Sequence, residues 1–169
     1  MSIAVIVLRI LHIFGAIVWG GGAIMMEFFI APSIAATAQS GQEFARHLTN
    51  KIRIHIFMMI AAVTTILAGS LLYWRNSAGF SSAWMRSSAG IGFGIGAVFG
   101  IIAFIFGAIF GNTNAQLGKI GAQIQGKPTT EQLEKIQALQ KRVKRISPIH
   151  VISTILAMLF MATARYLAF

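Results

Sequence analysis

Residues 3–31, IAVIVLRILHIFGAIVWGGGAIMMEFFIA, decide the fold class. The run is apolar apart from Arg9, His12 and Glu27, and Pro32 follows it. Crossing a bilayer takes about 20 predominantly apolar residues in a helix, so the stretch predicts a retained first span that Pro32 closes. A cleaved secretory signal is the competing reading, because Ala36-Thr37-Ala38 looks like a cleavage site. A signal's apolar region is only about 7–15 residues, however, and this run is far longer.

Three more runs of the same kind follow at 52–74, 88–110 and 149–169. The second ends in Tyr73-Trp74-Arg75, an interfacial aromatic pair followed by a charge. The fourth has Pro148 at its start, where a missing N–H costs little. The expected fold is therefore all-α: one transmembrane domain over 1–169, an integral membrane four-helix bundle. Composition agrees, since 56% of the 169 residues are hydrophobic and 11% charged, against about 25% charged in a soluble domain. There is no cysteine, which excludes disulfides, thiolate metal sites and cysteine nucleophiles.

The net charge of +10 is placed between the runs. With four spans, loops 1–2 and 3–4 share one side and carry Arg46, Lys51, Arg53, Lys119, Lys127, Lys135, Lys141, Arg142, Lys144 and Arg145. Arg9, Arg75, Arg86 and Arg165 fall on the other side. The basic side is expected to be cytoplasmic, which puts both termini outside, in a bacterial-type inner membrane. Within the 112–147 loop, Thr129 and Gln132 form a capping-box pattern. Leu133, Ile136, Val143 and Ile146 then recur at helical spacing opposite Lys135, Lys141, Arg142, Lys144 and Arg145. This predicts a cytoplasmic amphipathic helix between helices 3 and 4, lying on anionic lipid. Nucleic acid is not an expected partner, since the segment has no aromatic residue for stacking. Helix 3 carries Gly92, Gly96, Gly100, Gly107 and Gly111 along nearly one face, which suits close helix packing, a flat macrocycle or a homodimer contact.

Ionisable groups inside a bilayer are expensive, so each is a functional candidate. At about 1.5 Å rise per residue, His12 lies in the outer half of helix 1, and Glu27 lies near the cytoplasmic interface. His55 and His150 open helices 2 and 4 from that same side, so Glu27, His55 and His150 are expected in one layer. Three readings compete for it. His55 and His150 could ligate haem b axially, with Lys51 and Arg53 holding propionates. Alternatively, Glu27, His55 and His150 could ligate copper, zinc or non-haem iron, or the rings could simply sit at an interface. His12 and Met161 could bind a second haem or Cu(I), with Arg9 and Arg165 near the outer end for propionates or lipid phosphates. The chain has no aspartate, and no catalytic constellation appears in its spacing.

The stretch Leu8-Arg9-Ile10-Leu11-His12 followed by Trp19-Gly20-Gly21-Gly22 resembles the opening helix of the copper-resistance protein D superfamily. Related small haem-associated membrane proteins, among them the membrane-bound protoporphyrinogen oxidase, have a similar first helix. The resemblance covers about fifteen residues. It implies a copper- or haem-binding role for His12 alone. The chain departs from both relatives: it has no methionine- or histidine-rich outer region, and no lysine inside a later span. The resulting expectation is a b-type haem membrane protein exchanging electrons with a carrier such as quinone or with a redox partner protein. The alternatives are a transition-metal binding or transport protein and a non-catalytic assembly subunit.

Overall fold

The computed structural model describes residues 2–124 and 126–167; the last two residues of the expected fourth span lie outside it. Helix α1 (Ile3–Met25) runs through a π-helical turn (Met26–Ile30) into α2 (Ala31–Ala36). Then come α3 (Ala38–Asn50), α4 (Ile54–Asn76), the short α5 (Ser82–Met85), α6 (Ser88–Gln123) and α7 (Thr130–Thr163), which ends in a 3-10 turn at Ala164–Tyr166. Four stretches are long and apolar enough to cross a membrane: Ile3–Ala36, Ile54–Asn76, Ser88–Gln123 and Thr130–Tyr166. The chain is a multi-pass membrane protein by that criterion. Its apolar side chains face outward where lipid would lie, including Phe14 and Ile17 on α1, Ile60 and Leu67 on α4, Val98 and Ile101 on α6, and Ile152 and Leu159 on α7.

Helix starts follow local chemistry. The Ser87 hydroxyl accepts from the Gly90 N–H at 3.1 Å and opens α6. The expected capping box opens α7, with the Gln132 N–H donating to the Thr129 hydroxyl at 3.2 Å and the Thr129 N–H donating to the Gln132 side chain at 2.9 Å. Helix α4 starts after Arg53, whose φ of 55° is left-handed and turns the chain sharply out of α3.

Two prolines that read as helix boundaries sit inside continuous helices. Pro32 does not close the first run. A proline ring collides with the carbonyl four residues back and offers it no N–H, here that of Phe28. The preceding turn widens instead: residues 26–30 are π-helical, and the Ala31 N–H reaches back to the Met26 carbonyl. Pro148 likewise lies within α7 rather than at its start, leaving the Lys144 carbonyl without its regular donor. In consequence, 112–147 is not a loop holding a separate amphipathic helix. Most of it extends α6 and α7, which join through residues 124–129. At about 1.5 Å per residue each helix is about 50 Å long, well beyond a hydrocarbon core of about 30 Å. They therefore continue past the apolar belt as a helical hairpin.

Contacts between elements run α1 with α4, α4 with α6, α6 with α7 and α7 with α1. Neighbours are antiparallel. Gly15 faces Thr65 while Gly22 faces Met58, and Gly92 faces Ala164 while Gly107 faces His150. Trp19, Ala61, Ala62 and Ala103 form the buried centre, flanked by Val18, Met58, Ile66 and Phe104. Much of the α6 glycine face is taken up inside the chain. Gly92, Gly96 and Gly107 are covered by α7 and Gly100 by Ile66 of α4, whereas a Cβ on Gly111 would meet nothing within 4 Å.

Candidate functional site

Two polar levels occur along the inward face of α1, separated by Trp19. Val5, Trp19 and Ala23 of that face are buried, and His12 shares their helical spacing.

At the first level, His12 Nδ1 lies 2.9 Å from the Thr65 carbonyl oxygen of α4. A carbonyl can only accept, so Nδ1 carries the hydrogen and donates it. In the neutral ring Nε2 then holds the free lone pair, the posture in which a histidine meets a metal while its other nitrogen is fixed by a carbonyl. Gly69 makes this approach feasible: an ideal Cβ there would stand 2.7 Å from His12 Cε1. Thr65 has its own hydroxyl occupied by the Ala61 carbonyl at 2.8 Å, so it does not compete for the ring. Arg9 is one turn from His12 on α1. Arg165 is exposed in the terminal 3-10 turn, and Met161 is half-buried with its Cε 3.2 Å from an ideal Cβ on Gly96.

At the second level, the Ser147 hydroxyl of α7 donates to Glu27 Oε2 in the π-turn of α1. One turn on, His150 is only 7% exposed. Its ring lies between Phe110, stacked with centroids 6.0 Å apart, and Trp19, tilted at 6.5 Å. An ideal Cβ on Gly107 would be 2.9 Å from His150 Nε2, so only glycine lets the ring pack against α6 this closely. That Nε2 is buried and has no hydrogen-bond partner. Leaving such an atom unsatisfied costs about 1–3 kcal/mol.

The expected three-residue layer is thus assembled only in part. Glu27 and His150 share a level with Ser147, while His55 is exposed on the first turn of α4, as are Lys51 and Arg53 before it. Among the described residues no three His, Asp or Glu side chains gather as a metal-holding group. A haem held between His55 and His150 does not fit this packing, because the free nitrogen of His150 faces Gly107 of α6 and not α4. Sequence reasoning missed Ser147, Thr65 and Gly69. Their signal was weak: small residues at positions whose partners lie on other helices.

No family model matches the chain, and no curated protein or solved structure does.

Proposed function

We propose that the chain is a b-type haem protein of the cytoplasmic membrane in which His12 is the axial ligand. It would pass electrons between a membrane carrier such as a quinone and a redox partner protein. The observation that carries this reading is the His12 ring itself, with Nδ1–H spent on the Thr65 carbonyl and Nε2 left with its lone pair. An imidazole whose other nitrogen is held by a backbone carbonyl can ligate iron, and the resemblance of the first helix points to the same residue. When bound, haem supplies a one-electron couple whose potential depends on the axial ligands. The chain's part is to fix the imidazole through Thr65 and Gly69, with Arg165 near the same end toward acidic propionates. The orientation proposed with it puts the basic hairpin in the cytoplasm and both termini outside. The same lone pair, with the soft sulfur of Met161, favours Cu(I) as the second reading.

The test is a pyridine haemochrome assay and metal analysis on purified protein, His12→Ala and His150→Gln. Haem in the parent, lost in His12→Ala and kept in His150→Gln, supports the proposal. Copper lost in His12→Ala instead establishes the second reading. Neither species in any sample leaves the assembly-subunit reading and sinks both.

A further inference from the structure

We infer that Glu27, Ser147 and His150 form a proton-binding site at the edge of the apolar belt, reached from the side of the basic hairpin. The site is separate from His12 and does not depend on a cofactor there. Two features converge on it, and the local backbone adds a third. His150 Nε2 is buried with no protein hydrogen-bond partner, so with the ring hydrogen on Nδ1 its lone pair is open to a proton. Glu27 brings a carboxylate to the same level, held by the Ser147 hydroxyl. The backbone of α1 is irregular at this contact, where the π-turn carries Glu27, and Pro148 stands beside Ser147 within α7. π-turns and unsatisfied buried groups both concentrate at working sites.

The charged surroundings are simple. From α1 the ring faces Trp19, with Glu27 on the adjoining π-turn held by Ser147; from α6 it meets Gly107 and Phe110, neither of them titratable. On α7 the preceding charged residue, Arg145, is exposed. With Glu27 ionised and His150 neutral the cluster holds a single negative charge. One proton from water forms an N–H bond at Nε2 and brings the net charge to zero without moving electrons. Proton relays of Glu and His are a recurrent use of ionisable groups in membrane helices.

Trp19, with its ring 6.5 Å from that of His150, is a built-in reporter, since a charged imidazole nearby quenches indole fluorescence. The experiment follows Trp19 emission from pH 4 to 9 in the full chain carrying Trp74→Phe and Trp84→Phe. A one-proton transition that His150→Gln abolishes is expected. Glu27→Gln removes the favourable charge and moves the transition to lower pH by about one unit or more. No transition in the parent, the same transition in His150→Gln, or an unmoved midpoint in Glu27→Gln overturns the inference. If His150→Gln does not fold, imidazole nitrogen spectra of the otherwise unsubstituted chain decide. One of its four histidine rings must then change protonation at the midpoint read from Trp19, and its failure to do so overturns the site.

Discussion

Gly69 shows how much one missing methyl carries. The His12 ring occupies the space where a Cβ at position 69 would stand, and the hydrogen bond to Thr65 depends on that approach. Gly69→Ala therefore pushes the imidazole off the Thr65 carbonyl. Groups that orient a metal-binding histidine are typically worth 10–100-fold in affinity, so under the proposed haem function, haemin affinity in Gly69→Ala is expected to fall by about that factor, measured by titrating haemin into the purified variant. A variant that binds as tightly as the parent separates the ligand from this geometry. At the second level, Ser147→Ala leaves the Glu27 carboxylate without the hydroxyl that donates to it. The expected loss is about 1–3 kcal/mol, read as a lowered thermal midpoint in detergent; an unchanged midpoint shows that water replaces the hydroxyl at no cost. His12 and Glu27 were legible as candidates from one sequence, because an ionisable side chain in an apolar run is conspicuous by itself. Their partners were not, since Thr65, Gly69 and Ser147 are ordinary residues whose roles exist only across a helix interface. His55 shows the converse: it satisfied the depth argument, but depth along a helix does not fix the direction a side chain faces.

Helix boundaries were legible where both members of a signal are local. Thr129 and Gln132 are three residues apart, each completes the other's hydrogen bond, and the capping box is formed as expected. Thr129→Ala is expected to cost about 1 kcal/mol and to speed amide exchange over the first turn of α7 while leaving residues beyond Pro148 unaffected. Equal protection in the variant would show that packing alone fixes this end. Prolines were misleading for a related reason. Pro32 and Pro148 do remove hydrogen bonds locally, but long flanking helices packed on neighbours outweigh one lost bond. The chain absorbs Pro32 by widening a turn and accommodates Pro148 within a continuous α7. The basic segment, expected to lie flat as an independent helix, instead extends the fourth apolar helix, because nothing between Thr130 and Thr163 is costly enough to break it.

Across the whole molecule, antiparallel packing places the two polar levels at different depths. His12 pairs with Thr65 at the middle of α4, whereas Glu27 and His150 lie toward the basic hairpin. The four spans were legible because length and apolar composition are summed over about 20 residues and survive local exceptions. Which compartment each level faces depends on orientation, and the proposed orientation rests on charge: ten of the 14 Lys and Arg residues lie on the hairpin side. The absence of native cysteine permits a direct measurement. Single cysteines at Gln42, Gln137, Ala83 and Tyr166 are treated in intact cells with a membrane-impermeant thiol reagent. Labelling of Ala83→Cys and Tyr166→Cys, with Gln42→Cys and Gln137→Cys reacting only after the cells are opened, is the predicted result. Labelling of all four in intact cells, or the reverse pattern, contradicts it.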